Sequence, residues 1–149
     1  MSWQAIRPVA LAVVRKESGK LLVSKDYEPG ADEPFYRLIG GGVEFSEHSR
    51  EAVVREFREE LGVTLTDVTH FGTYEEVFTF DGEQGHEIWR VFKGDITEDW
   101  PYERDRFEGH EPELDETYEA VWMPPDRLRN EVTFYDPIVL DDLAESGER

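Results

Sequence analysis

Residues 41–63 read GGVEFSEHSREAVVREFREELGV, and this stretch decides how the rest of the chain must be arranged. From residue 49 to residue 61 the apolar positions Val53, Val54, Phe57 and Leu61 recur at i, i+1, i+4 and i+8, the pattern of an amphipathic helix. Gly62 follows the last of them, where a helix commonly ends in a left-handed residue that glycine adopts without strain. At roughly 100° per residue, Glu56, Glu59 and Glu60 fall within an arc of about 100°. The four apolar residues centre about 120° away from that arc, so one face buries and a neighbouring face carries three carboxylates.

That grouping needs a cause. Like charges three and four residues apart repel, costing a few tenths of a kcal/mol per pair on an exposed helix. They also sit near the helix C-terminus, where the macrodipole disfavours anions. A solvated acidic face is the plain alternative for a charge run. A hard divalent cation held by carboxylate oxygens reverses the sign of the argument, because Mg²⁺ is bound by one or a few carboxylates together with waters and substrate phosphates.

The surroundings favour the cation. Gly41, Glu47, Arg55, Glu56, Phe57, Glu59, Glu60, Gly62 and Val63 occupy every fixed position of G-x5-E-x7-R-E-U-x-E-E-x-G-U, where U is bulky and apolar. The chain therefore resembles the Nudix hydrolase superfamily, MutT-like members in particular. The resemblance covers residues 41–63 without a gap. Two positions depart from the common form: Phe57 is aromatic where an aliphatic residue is usual, and Ile39 stands where many members have proline. The resemblance implies an α/β fold, a Nudix-type α/β/α sandwich with a mixed sheet, as a single domain over residues 1–149.

Composition agrees. A chain of 149 residues with 38% hydrophobic content, nine Phe, six Tyr and four Trp is long enough to bury a core as one domain. The net charge of −19 argues against nucleic acid or an anionic membrane as partner. A polyanionic substrate must then be drawn in locally, by bound cations and a few arginines. With no cysteine there is no disulfide framework, thiolate zinc site or cysteine nucleophile. The N-terminal MSWQAIRPVA lacks a basic stretch followed by a long apolar one, and residues 8–14 are too short to span a bilayer. A cytoplasmic protein is expected.

Along the chain, Val9, Leu11 and Val13 alternate, a turn falls at Glu17-Ser18-Gly19-Lys20, and Leu21–Val23 follows, which reads as a β-hairpin. Residues 27–35 are turn-rich and read as a loop beside the site. A short strand over residues 36–39 feeds Gly40-Gly41-Gly42. Residues 68–80 and 87–96 are strand-like around a turn at 81–85, residues 97–114 read as a mobile polar loop, and residues 119–123 as another strand. Residues 125–129 open a helical turn, and residues 137–146 suit a C-terminal helix.

The resemblance implies hydrolysis of a nucleoside diphosphate linked to another group, a phosphoryl transfer that needs mostly positioning and charge stabilisation. Carried over by position, Glu56, Glu59 and Glu60 are the helix ligands of Mg²⁺, with Mn²⁺ as a substitute, and the backbone carbonyl of Gly40 joins them. Glu47 and Arg55 form a supporting pair, against the alternative of an ordinary surface salt bridge. MutT-like members often add a carboxylate from a distant loop, for which Glu116 is the choice, with Asp115 and Glu119 as competitors. The order for the general base is Glu56, then Glu59, then Glu116. Glu44, at a variable position, reads as exposed. Tyr36, Trp89 and Trp100 are candidates to stack a base, and Arg37 and Arg90 to hold phosphate, against ordinary roles in core or surface. His48, His70, His86 and His110 share no metal-ligand spacing, and no serine has a nucleophile-elbow setting.

Markers associated with ADP-ribose, diadenosine polyphosphate, coenzyme A and NADH pyrophosphatases are missing. The resemblance then favours a nucleoside triphosphate, oxidised and non-standard ones included, cleaved to monophosphate and pyrophosphate. An ADP-sugar or other nucleotide derivative, and a non-catalytic nucleotide-binding module, are the alternatives. Many members are homodimers, so a homodimer is the expected assembly.

Overall fold

The structure, a computed structural model, describes residues 4–112 and 114–145. Its eight strands are β1 (Ile6–Val13), β2 (Leu21–Asp26), β3 (Phe35–Gly42), β4 (Leu65–Phe80), β5 (Glu83–Ile96), β6 (Arg106–Glu111), β7 (Glu116–Met123) and β8 (Thr133–Phe134). The helices are α1 (Ser49–Leu61), α2 (Pro125–Asn130) and α3 (Pro137–Glu145), with a short 3₁₀ turn at Trp100–Glu103. Ser146, the expected end of the last helix, and the first three residues of the N-terminal stretch lie outside the described residues.

Alternation sets the sheet's two faces. Ala10, Ala12, Val14, Leu22 and Ile39 join Val53, Phe57 and Leu61 of α1 in one core, while Val9, Leu11, Val13, Leu21 and Val23 join Leu128, Val139, Leu140 and Leu143 in a second. α1 thus covers one face and α2 and α3 the other, the expected α/β/α sandwich. Each fully buried Val, Leu or Phe stabilises by roughly 1.5–3 kcal/mol. Phe57, fully buried, is the aromatic substitute in the 41–63 motif, the Nudix box, and belongs to the first core.

Strand order is β4-β5-β1-β3-β2-β7-β6, with β8 paired to β3. β1 and β2 are joined by the expected turn, with Gly19 at φ 95°, but they do not form a ladder together. β3 lies between them instead: its residues 35–38 pair with β2, and its residues 39–42 pair with β1. The glycines are thus the end of a strand rather than a loop. β3 thus joins the two halves of the sheet, and residues of both halves line a cleft along it.

β4 and β5 form a long hairpin closed by Asp81 (φ 51°) and Gly82 (φ 80°), a two-residue turn tighter than the sequence suggested. Residues 97–114 are not simply a loop. They hold the 3₁₀ turn and β6, whose buried Phe107 and Gly109 alternate with exposed Arg106, Glu108 and His110. Two inward residues in a polar stretch are a weak strand signal, which is why β6 was hidden.

Candidate functional site

α1 begins beside His48, whose backbone N–H donates to Glu51 Oε1 at 3.0 Å, and ends at Gly62 with φ 69°. Its buried stripe is Ala52, Val53, Glu56, Phe57, Glu60 and Leu61. Two of the three box glutamates therefore lie in the buried stripe, one turn apart, each only 6% exposed. Glu59 does not join them. Its side chain is half exposed and turned toward Arg55, whose Nη1 donates to Glu59 Oε1 at 3.2 Å.

Arg55 ties the site together. Its guanidinium donates to Glu47 through Nε at 2.7 Å and Nη2 at 3.0 Å, and to the Gly42 carbonyl at 3.0 Å. Nη1 also lies 3.5 Å from Glu56 Oε2. The two-pronged bond to Arg55 holds the Glu47 carboxyl below its usual range, and the same bond, reinforced by Glu56, holds Arg55 protonated. Glu47 and Arg55 are thus joined in a partly buried network with the Gly42 carbonyl, Glu56 and Glu59. Glu44 is exposed and 3.8 Å from Arg55.

Electrostatics single out Glu56 and Glu60. Burial pushes both carboxyls up, Glu60 to about 9, and the charge of Glu111 pushes both further in the same direction. Glu60 Oε1 accepts from the Tyr118 hydroxyl at 2.7 Å, while Oε2 is buried without a donor in hydrogen-bond geometry among the described residues. Gly41 faces them so closely that a Cβ there would stand 2.5 Å from Glu56 Cδ. Adjacent buried carboxylates with an unpartnered oxygen are costly unless a cation or a proton neutralises them. The residues present therefore suit a hard divalent cation. Among the described residues, no three His, Asp or Glu side chains are already gathered as a finished cage.

Sequence reasoning missed Glu111. It ends β6 directly opposite Glu116 of β7, and both line the cleft. Two residues on from Glu116, Tyr118 reaches Glu60, so Glu116 shares the inward side of β7. Asp115 is almost fully exposed beside His110, and Glu119 pairs with Lys25 and Arg106. The signal for Glu111 was its two-residue spacing from Phe107 and Gly109.

The cleft has a volume of about 500 Å³ and reaches from Gly40, Gly41 and Glu60 to an aromatic wall. There Phe35 and Tyr135 are stacked at 4.4 Å, with Phe80 edge-on to Phe35 at 5.8 Å. Arg37 and Trp89 line it too, the guanidinium 5.9 Å from the indole ring. Buried Glu87 accepts from Trp89 Nε1 at 2.8 Å and lies 3.5 Å from Arg7 and 3.8 Å from Arg37. Tyr36 points away into the second core. Arg90 donates to Ser49 Oγ at 3.1 Å and Thr73 Oγ1 at 2.9 Å, which ties β5 to the start of α1 outside the cleft lining. Trp100 packs edge-on against Phe107 near the first core.

Comparison with known proteins agrees with this architecture. The family profile of the NUDIX domain matches residues 5–143, and the chain belongs to that family. A MutT NUDIX hydrolase from Burkholderia pseudomallei superimposes with a TM-score of 0.67 at 24% identity, covering 94% of this chain and 99% of that one. The MutT protein from Methanosarcina mazei Go1 gives 0.67 at 20% identity, with 98% of each chain covered. A NUDIX hydrolase from Nitrosomonas europaea gives 0.67 at 19% identity, covering 97% and 92%. At such identities these likenesses establish the fold. A search of curated protein sequences found no match. Family membership makes the chain a Nudix hydrolase, one of a group that cleaves pyrophosphate linkages in small nucleotide-type molecules and generally uses divalent metal ions. None of the described helices is long and apolar enough to cross a membrane.

Proposed function

We propose that this enzyme hydrolyses a nucleoside triphosphate, oxidised or non-standard bases included, to the monophosphate and pyrophosphate in the cytoplasm, with Mg²⁺ as its cofactor and Mn²⁺ as a substitute. The observation that carries the reading is that buried Glu60, with buried Glu56 one helical turn before it, lines a cleft that is also lined by the aromatic rings of Phe35, Phe80 and Tyr135. That lining suits a molecule that carries both a flat ring and phosphates.

Glu56 and Glu60 are the ligands offered by α1, with Glu111 and the Gly40 carbonyl beside them and Glu59 and Glu116 at the rim. A cation bound there supplies the charge neutralisation that phosphoryl transfer needs. Glu56 accepts the proton of the attacking water, a role suited to a carboxylate whose proton affinity is raised by burial. Arg55, locked by Glu47 and the Gly42 carbonyl, keeps Glu56 and Glu59 in place. Arg37, held between Trp89 and Glu87, attracts the phosphates in a protein otherwise strongly negative. Phe35, Phe80 and Tyr135 offer rings for the base. Of the four residues expected to bind substrate, Arg37 and Trp89 keep that role, and we assign Tyr36 to core packing and Arg90 to bracing α1.

The test is a hydrolysis screen with Mg²⁺ or Mn²⁺ over nucleoside triphosphates, oxidised purine triphosphates, ADP-ribose and nucleotide sugars, with products separated by chromatography. Release of pyrophosphate and monophosphate, lost in Glu56→Gln, is the expected result. Cleavage of ADP-ribose or nucleotide sugars alone would replace the substrate. Tight nucleotide binding without turnover would leave a binding module.

A further inference from the structure

The β6–β7 register sets Gly109 directly opposite Tyr118. Tyr118 lies across this glycine: a Cβ on Gly109 would meet the ring at 2.6 Å from Cε2 and 2.8 Å from the hydroxyl oxygen. The ring also packs against the core beneath α1, which limits its rotamers. From that seat its hydroxyl crosses from the sheet to α1 and donates to Glu60 Oε1 at 2.7 Å. A phenol hydroxyl has one proton to donate, and this one is committed to Glu60.

Among the described residues, no other side chain or backbone N–H donates to the Glu60 carboxyl. Oε2 is buried with no donor in hydrogen-bond geometry among the described residues, and what lies beside it is the Glu56 carboxyl, which interacts with Glu60 but is a group of like charge. A glutamate has three rotatable bonds, so a ligand oxygen left to itself samples several positions. We propose that Tyr118 is a positioning residue of the cation site: through the space left by Gly109 it fixes Oε1 of Glu60, so that Oε2 alone is presented to a divalent cation. This rests on the assignment of Glu60 as a ligand made above. It adds that the ligand's orientation is set from the sheet, by a pair of residues outside the box.

Hydrogen bonds that orient metal ligands typically change affinity by about 10–100-fold when removed. The full chain is titrated with Mn²⁺ alone, free Mn²⁺ being read by electron paramagnetic resonance, for the wild type, Tyr118→Phe, Gly109→Ala and the double variant. Folding is checked in each by circular dichroism and Tm. The expected result is a rise of about tenfold or more in the Mn²⁺ Kd for Tyr118→Phe. Gly109→Ala, which keeps the hydroxyl but displaces the ring, is expected to do the same, and the double variant to be no worse than Tyr118→Phe, because both act through one contact. The Mg²⁺ concentration for half-maximal hydrolysis should rise by the same factor. A folded Tyr118→Phe with wild-type Mn²⁺ affinity overturns the proposal while leaving the cation site standing. If Tyr118→Phe does not fold, wild-type affinity in folded Gly109→Ala overturns it equally. A folded wild-type chain that binds no Mn²⁺ overturns both this proposal and the assignment beneath it.

Discussion

Gly41 and Glu56 are packed so closely that the missing side chain of one sets the position of the other: a Cβ on Gly41 would lie 2.5 Å from Glu56 Cδ and 3.0 Å from Oε1. What it would displace is the far end of a flexible side chain, so the backbone can stay where it is. Gly41→Ala is therefore expected to fold with a Tm near wild type but to lose about 10²-fold in kcat/KM, the scale of a misplacement of roughly 1 Å at a reacting centre. Gly40 makes the contrast. A Cβ there would meet the backbone of Ala10 and Leu11 at 2.9 Å, and neither can yield without parting β1 from β3. Gly40→Ala should lower stability by about 1–3 kcal/mol, seen as a lower Tm. Equal thermal losses in the two variants would refute the distinction.

Arg55 is used for its shape as well as its charge. Its fork engages both oxygens of Glu47 while another nitrogen reaches Glu59. Arg55→Lys keeps the charge and loses the fork, so activity should fall by roughly one to two orders of magnitude, since a lysine ammonium cannot hold a bidentate carboxylate pair. Glu47→Gln should also change the acid limb of stability. The Glu47 carboxyl is held below its usual range in the fold, so its contribution is present above the unfolded value and is lost as pH falls through the folded one. The wild type should therefore lose more stability than Glu47→Gln on acidification below about pH 5. Parallel acid-denaturation curves for the two would contradict this.

Glu111 and Glu116 face each other across the end of the β6–β7 hairpin, but it is Glu111 whose charge reaches the buried pair. Glu111→Gln is expected to weaken Mn²⁺ binding by at least about tenfold. Glu116→Gln, at an exposed rim position, should change it by less than about threefold, within the range of an exposed charge. Calorimetric titration of both variants checks the order, and the reverse order would restore Glu116 as the loop carboxylate.

What was legible in the sequence follows from how sharply each residue pattern constrains geometry. α1 runs from Ser49 to Leu61 as its periodicity required, with Gly62 left-handed beyond it. The division of labour among its glutamates was not legible. Glu60 lies only about 40° around the helix from Glu56 and Glu59 about 60° on the other side, too small a difference to separate without knowing how α1 is rolled against β3 and β6. Tyr36 and Arg37 posed a similar problem: they are neighbours on β3, and only the folded chain shows that Arg37 lines the cleft while Tyr36 packs into the second core. Glu111 and the insertion of β3 between β1 and β2 depend on pairings between distant segments, which local patterning does not specify.

Asp136 carries the last expectation, and it runs opposite to that for Glu47. It is fully buried just before α3, and one oxygen accepts the Leu38 backbone N–H at 2.7 Å while the other has no hydrogen-bond partner among the described residues. Burial pushes its carboxyl up to about 6, with Arg37 opposing the rise. An unfolded aspartate titrates near pH 3.9, so between about pH 4 and 6 the folded chain holds the proton that the unfolded chain has released. The stability linked to that proton is fully present below the unfolded value and is lost as pH rises through 6. Asp136→Asn keeps a carbonyl to accept from Leu38 and removes the ionisation. On raising the pH from 4 to 7, the wild-type Tm should therefore fall relative to that of Asp136→Asn. Thermal melts at half-unit pH steps make the comparison, and two curves that stay parallel across that window would show that Asp136 is already ionised in the fold, satisfied by Arg37 and the Leu38 N–H.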